Sequence, residues 1–264
     1  MITIEDIHGL DCRPADQRIS YGDDREQFVE LWFPSNANDK PAPVIVLIHG
    51  GCWLARHDIS HIRPLATKIA DRGCAVWAIE YRRLDQAGGG WPGSFLDVAA
   101  SIDLISDTQD PQLDKNRVVF LGHSAGGLMA AWAAGRARLT PGQELYRKNP
   151  FRPAGAIGLA AITDLSDYVG GSSLCERSAL RLMAGRPEEY PDRYAQASPA
   201  LLGCDRPLVL IHGDADEFVP VQHARAVRGA AVHILEGSGH FELIHTETPA
   251  FACAMTAIGK ILAP

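Results

Sequence analysis

Residues 118–127 read Val-Val-Phe-Leu-Gly-His-Ser-Ala-Gly-Gly, and this stretch decides the fold. An apolar, β-branched run ends at Gly122, and the helix-forming run 128–134 follows the glycines. The pattern predicts a strand, a sharp turn that carries Ser124, and a helix, which is the setting of a GxSxG nucleophile elbow. Glycines at 122 and 126 let the strand and helix approach closely around a strained serine. Ser124 is therefore a candidate nucleophile, and for the pentapeptide alone the alternative is a plain turn in which the serine caps the helix.

Three carboxylates follow one of the later predicted strands. The apolar run 207–211 predicts a short buried strand, and Asp214, Asp216 and Glu217 come directly after it. A serine hydroxyl is a weak nucleophile until a base takes its proton and a carboxylate orients that base. Each of the three is a candidate for the orienting acid, although an aspartate such as Asp214 also has an ordinary role in stabilising a turn or capping a helix.

A histidine follows the next predicted strand. Residues 231–235 form another short apolar run, and His240 lies beyond it in a loop that contains Gly237 and Gly239. In proteins with a GxSxG nucleophile elbow, the partners follow in the order serine, acid, histidine, each in a loop after its own strand. The chain has ten histidines, and a lone loop histidine is usually only solvated. The prediction that His240 is the base therefore depends on the order and the strand-end positions.

A glycine-bearing loop follows the most continuous apolar run of the chain, residues 44–48. His49-Gly50-Gly51-Cys52-Trp53 comes next, and it resembles the HGGG-type loop that supplies oxyanion donors in lipases and esterases. Backbone N–H groups aimed at the developing oxyanion contribute a large share of catalysis in acyl transfer. The resemblance implies the amides of Gly51, Cys52 and Ala125 as the donors. A flexible turn is the alternative for the glycine pair alone.

Together these motifs resemble those of the α/β-hydrolases over nearly the whole chain. The segment 212–220, His-Gly-Asp-Ala-Asp-Glu-Phe-Val-Pro, is similar to an HGxxDxxVP segment of that superfamily in which the later aspartate is the triad acid. The resemblance therefore implies Ser124, Asp216 and His240 as catalytic residues. It also implies the α/β-hydrolase fold, a mostly parallel central sheet flanked by helices on both faces with a small cap insertion.

A finer resemblance points to one branch of these enzymes. The HGGCW sequence at 49–53 matches the HGGxW pattern of the kynurenine formamidase branch, which neighbours the hormone-sensitive-lipase-like carboxylesterases. Glu80-Tyr81-Arg82 resembles the DYR of these esterases, and Trp91-Pro92-Gly93 leads into a predicted helix. Cys52 and Trp53 stand where the hormone-sensitive-lipase group usually has glycine and a small or aromatic residue. This departure favours the formamidase side.

The alternation of strand and helix patterns predicts one domain over 1–264. An antiparallel hairpin is predicted at 17–22 and 26–33, and helices near 60–72, 93–106, 221–228 and 248–262. More than forty residues before 207 lack a central-strand pattern, which predicts a cap over the acyl site at about 164–204, containing a short helix at 178–184. The alternative is a surface excursion packed on the core edge. The predicted pocket walls are Trp53, Trp91 and Phe241, with Tyr168, Leu174 and Phe218 as further candidates.

Composition excludes several classes of function. The chain has 264 residues, 46% of them hydrophobic, which is enough for one large core. A net charge of −7 without any basic cluster argues against a nucleic-acid partner. No apolar stretch reaches the roughly 18 residues of a membrane span, and the first residues lack a secretory pattern, so a cytoplasmic protein without a membrane partner is expected.

The chemistry predicted from these residues needs no cofactor. The six cysteines show no CxxC spacing and are expected to be free thiols, and the histidines show no HExxH pattern or metal-ligand set. A metal site is therefore not expected. The partner is a small-molecule ester or amide substrate, and a homodimer is left open.

The predicted function is a serine hydrolase that cleaves a small ester or an aryl formamide through an acyl-enzyme. By resemblance, N-formylkynurenine is the first substrate candidate and a short-chain ester the second. Two other classes are weighed against it. A peptidase of the prolyl-oligopeptidase type shares the triad but needs acids that grip a substrate amino terminus, and a non-catalytic binding protein can also use a hydrolase scaffold.

Overall fold

One eight-stranded sheet organises residues 1–35 and 40–263, which are the residues described by this computed structural model. The strands are β1 Gln17–Ser20, β2 Phe28–Trp32, β3 Ala42–Ile48, β4 Ala75–Ile79, β5 Leu113–His123, β6 Gly155–Leu159, β7 Leu208–Gly213 and β8 Ala231–Leu235. Their spatial order is β1-β2-β4-β3-β5-β6-β7-β8. The six strands from β4 to the β8 edge are parallel to one another, and the pairs β1–β2 and β2–β4 at the other edge are antiparallel.

Helices connect these strands and cover both faces. They are α1 Ile4–His8, α2 Arg63–Ala70, α3 Gly93–Asp107, α4 Ala125–Gly135, α5 Leu165–Tyr168, α6 Leu174–Leu182, α7 Pro191–Ala197, α8 Pro199–Leu202 and α9 Pro249–Leu262. Short 3₁₀ segments occur at Ile59–Ile62, Arg136–Arg138, Val221–Arg225 and Phe241–Leu243. Within the described ranges, no helix is both long and apolar enough to cross a bilayer.

Strand alternation separates the core into two layers. Along β3, Val44 and Val46 pack into the layer that contains α3 and α4, while Ile45 and Leu47 pack into the layer that contains α2 and α9. Successive side chains of a strand point to opposite faces, so a strand covered on both faces is apolar throughout. Helix α4 is buried along its whole length, which explains why the run after Ser124 is apolar on every side.

The predicted α/β-hydrolase fold is confirmed, and the differences concern individual elements. The amino-terminal helix α1 was absent from the sequence prediction; Thr3 and Asp6 form a capping box that starts it. The helix expected at 221–228 is a shorter 3₁₀ segment at Val221–Arg225. The helix expected at 178–184 lies at 174–182.

The start of α6 has a clear local cause. The Ser173 side chain accepts a hydrogen bond from the Glu176 N–H, and the Glu176 carboxylate accepts one from the Ser173 N–H, at 2.7 Å. This capping box satisfies two N–H groups that would otherwise be unpaired and begins the helix four residues earlier than its apolar pattern indicates. Helices α5 to α8 occupy the excursion between β6 and β7 that the sequence assigned to a cap.

Candidate active site

The carboxyl ends of four parallel strands carry the predicted site residues. β3 leads into the loop at 49–53, which we call the oxyanion loop, and β5 leads into Ser124. β7 leads into Asp216, and β8 leads into His240. Parallel strands place their carboxyl ends at the same edge of the sheet, where ligands bind in α/β folds. Residues that are distant in the sequence therefore lie around one cavity.

Ser124 occupies a strained turn between β5 and α4. Its φ of 56° and ψ of −119° are outside the regions that L-residues ordinarily adopt. A Cβ at Gly122 would lie 2.0 Å from the Gly126 carbonyl oxygen, and one at Gly126 would lie 2.1 Å from the Ile48 carbonyl oxygen. Both glycines are thus required, because a side chain at either position would clash with neighbouring backbone. The close packing of backbone on both sides keeps Ser124 in its strained conformation.

Asp216 and His240 are directly hydrogen-bonded. The distance from His240 Nδ1 to Asp216 Oδ2 is 2.7 Å, and the other carboxylate oxygen accepts hydrogen bonds from the N–H groups of Phe218 and Val219 at 2.8 and 2.9 Å. In the described part of the chain no hydrogen bond joins Ser124 Oγ to His240. Such contacts are often long in unliganded sites and tighten when substrate binds.

Asp216 is held in its ionised form. Burial by itself would raise the pKa of this carboxyl, but the hydrogen bond and charge of His240, with the two backbone N–H donors, outweigh burial and lower the pKa below its usual value. Asp214 has a different contact, since its carboxylate accepts a hydrogen bond from the Gly237 N–H at 2.7 Å. Asp214 thus tethers the loop that leads to His240.

The oxyanion loop has an unusual backbone. Gly51, Cys52 and Trp53 have φ values of 98°, 53° and 56° in succession. Among the residues that the structure describes, the N–H groups of Gly51, Cys52 and Ala125 donate no hydrogen bond to the protein. Unpaired backbone amides of this kind are what stabilises an oxyanion in acyl transfer.

A buried charged network lies beneath the oxyanion loop. Glu80, which is 1% exposed, accepts hydrogen bonds from His49 Nε2 at 2.9 Å, from Arg83 Nη1 at 2.6 Å and from the Ile59 N–H at 2.8 Å. Burial would raise the pKa of Glu80, but the charges and hydrogen bonds of these partners prevail and lower it. Tyr81 stacks on the His49 ring, at 4.5 Å between centroids, and donates to the His49 carbonyl.

A cavity of about 580 Å³ opens at this site. Ser124 and His240 line it, together with Gly51 and Cys52. Of the predicted pocket walls, Phe241, Leu174 and Phe218 also line the cavity, and Phe218 lies 4.9 Å from the His240 ring, measured between ring centroids.

Three predicted wall residues lie elsewhere. Trp53 is fully buried in the core and away from the cavity lining, and its carbonyl accepts a hydrogen bond from the Leu84 N–H. Trp91 is held outside the lining by a hydrogen bond from its indole N–H to Glu144. The Tyr168 hydroxyl donates to the Phe218 carbonyl at 3.1 Å, behind the cavity wall.

The expectation of six free thiols is wrong for two of the cysteines. Cys52 and Cys175 form a disulfide with a Cα–Cα distance of 4.9 Å, although 123 residues separate them in the chain. The contact arises because the amino-terminal end of α6 folds over the oxyanion loop, and no local spacing signals such a pairing. The other four cysteines are free.

Two further features of the site were missed by the sequence reasoning. Residues 1–5 form part of the cavity wall, and the Ile2 N–H donates to the Glu242 carboxylate at 2.9 Å. His123 Nε2 lies 3.1 Å from the carbonyl oxygen of His240. Because a carbonyl only accepts, His123 carries its proton on Nε2, and burial lowers its pKa well below the usual value. The position of His123 directly before Ser124 was the available signal.

Among residues 1–35 and 40–263, no group of three or more His, Cys, Asp and Glu side chains is arranged to hold a metal ion.

Comparison with known proteins places the chain among esterase-like folds. Esterase LipC of Mycobacterium tuberculosis is 29% identical over 248 residues, which cover 86% of this chain and 60% of LipC. The chain spans 50% to 64% of the lengths of three curated relatives from that organism. Esterase B from Lactobacillus rhamnosis superposes with a TM-score of 0.79 at 20% identity, covering 98% of this chain and 89% of that structure. A truncated carbohydrate esterase from gut microbiota gives 0.79 at 19% identity, covering 94% and 97%.

A protein-family model also matches most of this chain. The BD-FAE model matches residues 29–230, from β2 through the carboxylate loop after β7 to the residue before β8. The match therefore includes the oxyanion loop, the serine turn and the Asp216 loop, which converge at the cavity. With well over half of its length matched, the chain belongs to the BD-FAE family, within the α/β-hydrolases.

Proposed function

We propose that this protein is a serine carboxylesterase that uses Ser124, His240 and Asp216. The hydrogen bond between Asp216 and His240, beside a strained serine in the same cavity, carries the proposal. A carboxylate held in its ionised form fixes the tautomer of its histidine, so that the second ring nitrogen is free to accept a proton. The curated relatives named esterases support ester hydrolysis as the reaction.

The proposed mechanism is a two-step acyl transfer. His240 Nε2 accepts the proton of Ser124 as Oγ attacks the ester carbonyl, and the amides of Gly51, Cys52 and Ala125 donate to the oxyanion. His240 then gives the proton to the departing alkoxide, and an acyl-enzyme remains. Water, deprotonated by His240, then attacks the acyl carbonyl. The bond from the acyl carbon to Ser124 Oγ breaks, His240 returns the proton to Oγ, and the acid is released. No cofactor takes part.

Two substrate classes fit the proposal to different degrees. Small esters come first, because the relatives are named esterases and the cavity of about 580 Å³ accommodates a small acyl and leaving group. An aryl formamide such as N-formylkynurenine is the second candidate. The HGGCW sequence favours it, and the phenyl rings of Phe218 and Phe241, 5.5 Å apart, supply an aromatic wall for its leaving group.

A substrate panel tests the proposal. The purified protein is expected to hydrolyse p-nitrophenyl acetate and butyrate and to bind a fluorophosphonate covalently at Ser124. Turnover of N-formylkynurenine, measured under the same conditions, ranks the two substrate classes by kcat/KM. Absence of both ester turnover and fluorophosphonate labelling would exclude the esterase. A kcat/KM for N-formylkynurenine far above that of every ester would reverse the ranking.

Asp216→Asn is expected to lower kcat by about 10²- to 10⁴-fold. The N–H groups of Phe218 and Val219 both require an acceptor, so the new amide oxygen faces them and its NH₂ faces His240 Nδ1. His240 then has to accept at Nδ1 and carry its proton on Nε2, where it cannot take the serine proton. Steady-state kinetics with p-nitrophenyl acetate measures the loss.

Asp214→Asn is the matched control for this substitution. Among the residues that the structure describes, the Asp214 carboxylate accepts a hydrogen bond from the Gly237 N–H alone, and an asparagine carbonyl can accept the same bond. We therefore expect its kcat to stay within a few-fold of the unmodified protein. Equal losses in the two variants would contradict the assignment of Asp216 as the orienting acid.

A further inference from the structure

The Cys52–Cys175 disulfide joins two separate parts of the cavity wall. Cys52 belongs to the oxyanion loop, and Cys175 lies in the first turn of α6, just after its Ser173 cap. Both cysteines line the cavity that contains Ser124. The bridge therefore lies within the site to which we have assigned ester hydrolysis.

The backbone of Cys52 has few other restraints. Its φ of 53° is unfavourable for an L-residue, so the surrounding structure has to hold it. Gly51 and Trp53 on either side are held through their carbonyls by the N–H groups of Leu54 and Leu84. In the described part of the chain, neither the N–H nor the C=O of Cys52 itself makes a hydrogen bond. The bond to Cys175 is thus the direct restraint on the residue whose amide is a proposed oxyanion donor.

Helix α6 offers a fixed point for that restraint. Ala179 and Leu182 are fully buried, and the Leu182 carbonyl accepts a hydrogen bond from the Trp91 N–H at 2.8 Å. The far end of the helix is therefore anchored to the core, while its first turn reaches the oxyanion loop. The disulfide from this first turn therefore restrains Cys52 relative to the anchored helix.

We propose that the Cys52–Cys175 disulfide positions the oxyanion loop, so that the enzyme is fast when the bridge is formed and slow when it is reduced. The inference rests on the proposed esterase function. Reduction by a dithiol breaks the Sγ–Sγ bond, leaves a thiol on each cysteine and converts the dithiol to its cyclic disulfide, a transfer of two electrons and two protons. Because both cysteines line the cavity, the reductant reaches them by the route that the substrate uses.

Kinetics in the two redox states tests this proposal. Without the bridge, the Cys52 amide is no longer held in position for the transition state, and kcat for p-nitrophenyl acetate is expected to fall about 10-fold with KM unchanged within twofold. Dithiothreitol supplies the reduced state and oxidised dithiothreitol the bridged one. Non-reducing peptide mapping verifies the linkage in each sample.

Matched variants separate the bridge from the other thiols. Cys175→Ser is expected to have the kcat of the reduced enzyme and no response to dithiothreitol. Its unfolding temperature is compared with that of the reduced unmodified protein, to show that the variant is folded. Cys12→Ser, which removes an exposed free thiol, is expected to behave as the unmodified protein in both states. Reoxidation restores kcat in the unmodified protein and in Cys12→Ser, and leaves Cys175→Ser unchanged.

The outcomes distinguish this inference from the proposed function. Equal kcat in both states, with peptide mapping that shows the bridge formed and then cleaved, overturns the positioning role while leaving the esterase intact. Failure to find a linked Cys52–Cys175 peptide after oxidation overturns it as well. Absence of ester turnover and of fluorophosphonate labelling in both states instead removes the esterase itself and, with it, this inference.

Discussion

Replacing Ser124 with alanine is expected to reduce kcat for p-nitrophenyl acetate by about 10⁶-fold. The hydroxyl is the attacking atom of the proposed mechanism, and neither His240 nor the oxyanion loop can supply the covalent intermediate without it. Any remaining rate comes from binding and oxyanion stabilisation alone. Stopped-time assays at high enzyme concentration, with fluorophosphonate labelling in parallel, measure the effect.

Ser106→Ala provides the control for this experiment. Ser106 is exposed on α3, so its replacement is expected to keep both turnover and labelling. Ser124→Ala and Ser106→Ala should also unfold within a few degrees of each other, because the backbone at position 124 has the same strained conformation with serine or alanine. Retention of more than about 1% of kcat in Ser124→Ala, after contamination is excluded, would place the nucleophile on another residue.

The strand ends could be predicted from the sequence because each one combines two local signals. An apolar run predicts a buried strand, and glycine or a polar residue after it predicts the loop. Ser124, Asp216 and His240 each follow such a run, and the parallel sheet brings these three loops around one cavity. The contact between Asp216 and His240 follows from that topology, so residues far apart in the chain could be proposed as partners before the structure was known.

Features made by contacts between loops could not be predicted in this way. The disulfide joins residues whose pairing depends on how α6 lies over the oxyanion loop, and cysteine spacing carries no information about that. Trp53 follows the oxyanion glycines and was expected in the pocket, yet its side chain is fully buried in the core. Residues 1–5 reach the cavity only through long-range packing, in which Ile7 is fully buried.

Glu80→Ala is expected to have the largest effect on stability, lowering the free energy of unfolding by about 3–5 kcal/mol. Arg83 is 1% exposed, and removal of Glu80 leaves its guanidinium with fewer partners in a site that water does not reach. The same change frees His49 Nε2, directly before the glycines of the oxyanion loop. We therefore expect kcat to fall as well. Urea unfolding at pH 7, followed by circular dichroism, gives the free energy.

Asp205→Ala is the control for removal of a carboxylate from an ion pair. Asp205 pairs with Arg152 at the surface, where both side chains are largely solvated, so the loss is expected to be at most about 1 kcal/mol. Because water can solvate Arg152 after the change, no buried charge is left behind. Similar destabilisation by the two substitutions would mean that the buried network beneath the oxyanion loop contributes no more than a surface pair.

Glu80→Gln removes the charge of this carboxylate and keeps its shape. The effect of the substitution on the free energy of unfolding is expected to depend on pH. The folded protein lowers the pKa of Glu80 from its usual 4.5, so the ionised carboxylate contributes stability that is fully present above pH 4.5. That contribution is lost as the pH falls through the lowered folded-state pKa. The difference in unfolding free energy between the unmodified protein and Glu80→Gln is therefore expected to be constant from pH 7 to pH 5 and to shrink below pH 4.5. Urea unfolding across this range measures it, and a difference that stays constant down to pH 3 would show that Glu80 acts through its hydrogen-bonding shape alone.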